Sequence, residues 1–335
     1  MHLGSKIAVV IPCYRVTRHV LDVIAGVPPE VDVVICVDDA CPDNSGHFIE
    51  THVSDPRVRV IRHPENQGVG GAVKTGYRAA VAAGCDIAVK VDGDGQMDPR
   101  LVLSFVYPIA LGQCDYTKGN RFFRPEDVRS MPGVRFFGNA VLSFLSKIST
   151  GYWNIFDPTN GYTALHLAVL NLMPLEKVAN SYFFESDLLF RLNIARCVVR
   201  DVPMRAIYAD ERSNLRSRSA VVPFFAGHMR NFFKRIFYSY FLRDFNVASV
   251  EIFLGPTALV TGILFAAYHW MLSVTSGISA TAGTVMIPGL LIIVGLQLCL
   301  SALAFDVSNV PSQPVHPLLT AMDVKGVASS VSTLV

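Results

Sequence analysis

The chain has 335 residues, of which 51% are hydrophobic and only 17% charged, and its mean hydropathy is +0.38. Those values exclude a disordered, collagen-like or coiled-coil chain and sit poorly with a wholly soluble one. With 29 Lys and Arg against 27 Asp and Glu, no chain-wide basic field points to nucleic acid.

In chain order, short β-rich runs alternate with helical stretches. The strands are read at 7–11, 31–37, 58–61 and 86–91, and the helices at about 17–26, 44–52, 68–84 and 99–111. This alternation predicts an α/β domain with a mainly parallel sheet covered on both faces. Beyond residue 115 the pattern loosens: a helix is expected at about 134–149, a strand near 161–166, a helix at about 185–195 and a strand near 198–203. A segment mixing aromatic and basic residues follows at 221–245. Phe225, Met229, Phe232, Phe233 and Ile236 recur there at helical spacing, as in an amphipathic helix lying on anionic headgroups. No Asp, Glu, Lys or Arg occurs in the 54 residues from Ile252 to Phe305. A spanning helix needs about 20 apolar residues, so two membrane helices are expected, at about 252–274 and 284–305, joined by a loop at 276–283. The domains are accordingly drawn as 1–218, 219–248, 249–306 and 307–335, with an irregular tail to which no role is assigned.

Arg230, Lys234, Arg235 and Arg243 precede the first span, Lys325 follows the second, and the connecting loop carries no charge. The positive-inside rule then puts both termini in the cytoplasm. The N-terminal apolar run is too short for a signal peptide. Seven cysteines without a CxxC pair fit neither a zinc framework nor a disulfide scaffold, and point to a reducing compartment.

Ligands of parallel sheets sit beyond the carboxyl ends of the strands. The first strand ends in Pro12, Cys13 and Tyr14, the second in Asp38 and Asp39, and the fourth in Asp92, Gly93, Asp94, Gly95 and Gln96. Two carboxylates spaced i, i+2 on an extended strand end point the same way and can hold Mg²⁺ or Mn²⁺ over a diphosphate. Residues 92–98 lack the Gly and the bidentate Glu of an EF-hand, and Val73 before Lys74 breaks the P-loop pattern. Gly68, Gly70 and Gly71 at a helix start still permit close backbone approach.

IPCYR (11–15), VDDACPDNS (37–45), HPENQGVGGAVKTGY (63–77), KVDGDGQMDP (90–99), KGNRF (118–122), DPTNGYTALH (157–166) and FFESDLLFRL (183–192) occur in that order. Together they resemble the family 2 glycosyltransferases of GT-A fold, and within them the polyprenyl-phosphate branch typified by dolichol-phosphate mannosyltransferases. The resemblance implies that Pro12, Tyr14, Asp38 and Asp39 line the nucleotide, with Gly68 and Lys74 beside it. It implies that Asp92 and Asp94 hold the metal, that Gln96 faces the sugar or acceptor, and that Arg121 contacts the acceptor phosphate. Asp157 matches the acid of the DPxxG motif, with Asp187 as its competitor for the role of base. Arg124, Arg205, Arg212, Arg216 and Arg218 add positive charge for the acceptor or for anionic lipid. DPTNG departs from the commoner DPQTG at Thr159 and Asn160, and the QxxRW motif of processive synthases is absent.

The implied reaction is metal-dependent inverting transfer of one sugar from a nucleotide sugar, with UDP favoured over GDP, to a polyprenyl phosphate at the cytoplasmic membrane face. The alternatives are transfer to a hydroxyl of another lipid and a catalytically inactive membrane scaffold. Self-association through the membrane hairpin is compatible with the sequence.

Overall fold

The computed structural model describes residues 3–123, 133–158, 160–205 and 217–322. Arg124, Thr159, Arg212 and Arg216 lie outside them. The chain divides into two compact units, Met1–Phe232 with Pro311–Val335, and Phe233–Val310.

The first unit is built on a seven-stranded sheet: β1 (Ile7–Cys13), β2 (Val33–Asp38), β3 (Val58–Arg62), β4 (Ile87–Lys90), β5 (Tyr116–Asn120), β6 (Thr163–His166) and β7 (Val199–Pro203), in the order β3-β2-β1-β4-β6-β5-β7. The strands β3, β2, β1 and β4 are mutually parallel, β6 runs antiparallel to both its neighbours, and β5 and β7 are again parallel. The central strands β1 and β2 are fully apolar and buried apart from Pro12 and Asp38, as a sheet covered on both faces requires.

The connecting helices are α1 (Val20–Ala25), α2 (Ser45–His52), α3 (Val69–Ala82) and α4 (Val102–Ala110), the last entered through a 3₁₀ turn at Pro99–Leu101. α5 (Gly133–Thr150) and α6 (Phe184–Ile194) follow where the periodicity predicts them. At Gly76 of α3 an added Cβ would stand 2.2 Å from a Val10 methyl, so helix and sheet meet at a contact only glycine allows. The strand β5 was legible only as the residues ahead of Arg121, because YTKGN carries a lysine and a glycine and reads as polar.

The helix α7 (Ser217–Phe237) turns polar side chains inward. His228 meets the Ser149 hydroxyl at 2.7 Å, and the Asn231 amide donates to Asp187 at 3.0 Å. Phe225 is exposed on its outer side. Arg230 and Lys234 are exposed as well, so the outer side mixes aromatic and basic side chains, as a helix lying among headgroups does.

In the second unit a π-helical turn, Tyr238–Arg243, precedes α8 (Val247–Ser276) and α9 (Ala282–Ser308). Both helices are long and apolar enough to cross a membrane. Each extends beyond the expected span and includes one acid: the Ser301 hydroxyl donates to Glu251 of α8 at 2.8 Å, and Asp306 of α9 pairs with Arg235 at 2.6 Å while accepting from Tyr240 at 2.6 Å. Arg235, expected among the lipid-facing charges, is therefore buried inside this unit.

The tail is not wholly irregular. Residues 316–322 are helical. Asp115, fully buried at the start of β5, accepts from the Val315 and His316 amides and from His316 Nδ1, all within 2.9 Å.

Candidate active site

Every strand that the sequence assigns to the site delivers its residues to one edge of the sheet. The parallel strands β1, β2, β4, β5 and β7 all end there, and antiparallel β6 begins there. Pro12 and Tyr14, the aspartate pair after β2, the 92–96 tip after β4, Arg121 after β5, the 157–161 loop before β6 and Arg205 after β7 thus share one crevice edge.

Tyr14 is 41% exposed, and the Arg15 guanidinium lies 5.5 Å from its ring centre. The neighbouring aspartates are different. Asp38 is buried and accepts from the Cys41 amide at 2.8 Å and the Gly46 amide at 2.6 Å, which shapes the turn into α2. Asp39, also buried, accepts from the Gln67 and Gly68 amides at 2.8 Å and pairs with His63 at 2.7 Å. Both carboxylates, expected to line the nucleotide, are buried and hold the loops at this edge.

Gly68 has φ +82°, and an added Cβ would stand 2.6 Å from the Asn180 carbonyl, so its place is a close contact with the 179–181 segment. Lys74, expected beside the nucleotide, is buried, and its Nζ donates to the Val178 carbonyl at 2.9 Å.

At the β4 tip, Asp94 Oδ1 accepts from the Gln96 amide at 3.0 Å, and Asp94 and Gln96 are partly exposed. Asp92 Oδ1 faces the interior, 2.8 Å from Lys90 Nζ. Its Oδ2 faces Gly161, where an added Cβ would stand 2.6 Å away. The same Cβ would stand 2.5 Å from Lys90 Nζ, so glycine at 161 lets the chain close on both groups. Among the described residues no three His, Cys, Asp or Glu side chains gather as a metal cluster. Two acidic oxygens that leave other positions to phosphate and water are a donor set that Mg²⁺ or Mn²⁺ accepts, so the tip fits the ion in company with a diphosphate.

Arg121 and Asp157 form a bidentate pair, Nε to Oδ2 at 2.7 Å and a terminal nitrogen to Oδ1 at 3.0 Å. Asp157 is wholly buried while a third of the Arg121 side chain is exposed. The carboxylate therefore aims the guanidinium at the crevice. Asp187 is also buried and accepts from the Ala179 amide at 2.9 Å, from Asn231 and from Arg191. It is a structural hub. Arg205 is exposed just beyond β7. Arg218 lies in the first turn of α7.

Three charged residues of this region, Lys90, Lys118 and Glu185, were given no role in the sequence reading. Lys90 and Lys118 stand in register on either side of Thr163 across β4, β6 and β5. Lys90 and Lys118 are fully buried, and Lys90 Nζ also reaches Glu185 of α6 at 3.1 Å and the Gly161 carbonyl at 3.2 Å. Lys118 Nζ donates to the Asn160 carbonyl. Two consecutive carbonyls of the 157–161 loop thus rest on two buried ammonium groups. Burial pushes Lys118 down to about 8, against the opposing pull of Glu185 and Asp157. Burial would lower Lys90 too, but Asp92 and Glu185 outweigh it and hold the ammonium above its usual range. The signal for Lys90 was a lysine inside an apolar strand, where a solvated charge has no room; Lys118, between Thr117 and Gly119, carried no such signal.

Residues 8–172 match the family model described as glycosyl transferase family 2. The chain is 28% identical over 232 residues to UDP-N-acetylglucosamine--dolichyl-phosphate N-acetylglucosaminyltransferase of Methanococcus voltae, covering 65% of this chain and 92% of the relative. It is 31% identical over 165 residues to undecaprenyl-phosphate mannosyltransferase of Micrococcus luteus, covering 49% of this chain and 66% of that one. Among solved structures, glucosyl-3-phosphoglycerate synthase from Mycobacterium tuberculosis superposes with a TM-score of 0.50 at 20% identity, over 69% of this chain and 80% of that chain, which is a likeness of fold. The ordered sheet edge, the motifs carried on it and these relatives agree: the chain carries a glycosyl transferase family 2 domain on a GT-A-like sheet, and the relatives it resembles are named as polyprenyl-phosphate glycosyltransferases.

Proposed function

We propose that the protein transfers a single sugar from a nucleotide sugar to a polyprenyl phosphate at the cytoplasmic face of a membrane, with Mg²⁺ or Mn²⁺ held by Asp92 and Asp94. The observation that carries this reading is the sheet order β4-β6-β5, which sets the paired acids of the β4 tip one strand away from the Arg121 guanidinium at the β5 tip. A UDP-sugar donor is favoured, and the name of the Methanococcus voltae relative supports it.

The chemistry follows from charge. A phosphate monoester is mostly dianionic at neutral pH, its second pKa being about 6, so its oxygen attacks the anomeric carbon without a general base. The new bond joins that oxygen to the anomeric carbon as the bond to the donor diphosphate breaks. The nucleoside diphosphate leaves, and the anomeric configuration inverts. A bound divalent ion supplies charge neutralisation of the departing diphosphate. Arg121, aimed by Asp157, brings the second anion in against repulsion. Tyr14 and Pro12 offer a face to the nucleotide base, and Gln96 one to the sugar. Arg205, just beyond β7, adds positive charge for the acceptor phosphate and headgroups, a role that the sequence also assigns to Arg124, Arg212, Arg216 and Arg218.

A hydroxyl acceptor is disfavoured because neither candidate base is open: Asp157 is engaged by Arg121, and Asp187 accepts from the Ala179 amide, Arg191 and Asn231 with Arg230 3.8 Å away. The membrane reading rests on α8 and α9 and on the exposed aromatic and basic side chains of α7, Phe225, Phe233, Arg230 and Lys234.

The test uses the purified full chain in detergent with undecaprenyl phosphate, Mg²⁺ or Mn²⁺ and a panel of nucleotide sugars, the lipid product being read by mass. A product carrying one sugar on phosphate is expected, and Asp92→Asn or Asp94→Asn should lower its rate at least about 100-fold. Full turnover in excess chelator, or equal transfer to the unphosphorylated polyprenol, would overturn the reading.

A further inference from the structure

The tip of β4 contains more charge than its two aspartates. Lys90 lies directly behind Asp92, buried, with its ammonium 2.8 Å from Oδ1, and it is shared with Glu185 at 3.1 Å. Lys118 stands on the far side of Thr163 in the same row. A structural lysine at such a position serves no packing purpose that a methionine would not serve, since each buried charge must be offset by partners. Lys90 has three such partners, Asp92, Glu185 and the Gly161 carbonyl, so its ammonium is a fixed charge and not a mobile one.

We propose that Lys90 is a positioning residue that sets the cation affinity of the transfer site: by partly neutralising Asp92 from behind, it keeps the nucleotide-free tip a poor divalent-ion site and makes ion binding depend on the incoming diphosphate. The inference rests on the reading of Asp92 and Asp94 as ion ligands.

The physical argument is one of sign. A carboxylate already paired at 2.8 Å attracts a second cation less, and the interior screens this effect weakly. A diphosphate adds negative charge on the open side of the tip, where Lys90 does not reach, and so restores the attraction. The same contact fixes the orientation of Asp92. Through the Gly161 carbonyl it also ties the donor side of the crevice to the loop that begins at Asp157.

Charge and mere structure predict different patterns. If Lys90 acts through its charge, removing it raises ion affinity, whereas removing the negative charge of Glu185 leaves Lys90 concentrated on Asp92 and lowers it. If both residues only brace the tip, both changes loosen it and affinity falls in each.

Free Mn²⁺ is measured by electron paramagnetic resonance during titration of the full chain in detergent, with and without UDP. Without UDP, Lys90→Met should bind Mn²⁺ at least about tenfold more tightly than the wild type, and Glu185→Gln severalfold more weakly. With UDP the wild type should bind tightly and the gap to Lys90→Met should narrow. Lys90→Gln, which keeps a donor for the Gly161 carbonyl, repeats the experiment should Lys90→Met fail to fold. Equal or weaker Mn²⁺ binding by the Lys90 variants, or movement of Lys90 and Glu185 variants in one direction, overturns the role of Lys90 alone. Absence of Mn²⁺ binding by the wild type even with UDP overturns the ion site itself, and with it this inference.

Discussion

Asp201 on β7 stands in register beside Lys118, with its Oδ2 accepting from the Asn120 amide at 2.8 Å and the Phe156 amide at 3.2 Å. Burial drives it up to about 6 in spite of those bonds and of Lys118. The native state then keeps a proton between about pH 4 and 6 that the unfolded chain has released, so stability falls as pH rises through that window and is level above it. Asp201→Asn removes the cost of the buried charge and retains an acceptor. It should stabilise the protein by about 1–3 kcal/mol above pH 6.5 and by nothing near pH 4. Thermal melts of the solubilised full chain at the two pH values check this. No gain at neutral pH would mean that the Asp201 charge is better solvated than its burial implies.

At the scale of elements, α8 and α9 meet along small residues. An added Cβ at Gly255 would stand 2.9 Å from Cys299 Sγ, and one at Gly295 would stand 2.6 Å from the Leu259 amide nitrogen. Backbones this close exchange side-chain volume for contact, as membrane helices do where no water drives them together. Gly255→Cys places a second sulfur within bonding reach of Cys299. Mild oxidation should link the two in most molecules, seen as a loss of two mass units, and failure to link would contradict the packing. The polar inner side of α7 belongs to the same scale. His228 Nδ1 and the Asn231 amide find partners inside the first unit while Phe225 faces out, an arrangement that costs free energy in water and little at a headgroup boundary.

For the whole molecule, the returning tail matters most. The chain leaves the first unit at α7, runs through the hairpin and rejoins that unit at Pro311. There Asp115 receives three tail donors, and the His316 ring stacks on His166 at 4.2 Å. Burial alone would raise the Asp115 carboxyl, but His316 and the surrounding amides outweigh it and hold it below the usual range. The clasp therefore stabilises above the ordinary carboxylate range and is lost as pH falls. Ending the chain at residue 310 strips Asp115 of those donors and should cost about 1–3 kcal/mol, a few degrees in melting temperature. His316→Ala should cost about half as much. An unchanged melting temperature in the truncated chain would show that the tail contributes nothing to stability.

The amino-acid sequence by itself determined the alternation of strands and helices, the two apolar spans and the acids of the β4 tip. Each is written in local periodicity or in a short motif, and local backbone geometry turns such patterns into structure without help. It could not reveal which acids face the crevice. Asp38 and Asp39 also follow an apolar strand, yet both are buried where the Cys41, Gly46, Gln67 and Gly68 amides meet them, while Asp92 and Asp94 stay partly exposed. Lys74 resembles a phosphate ligand until α3 settles against the Val178 carbonyl. Lys90, Lys118 and Glu185 lie 28 and 67 positions apart in sequence and become one charge network only when β6 inserts between β4 and β5. Hydrogen bonds and ion pairs between distant segments decide where a charge points, and only the tertiary structure brings those segments together.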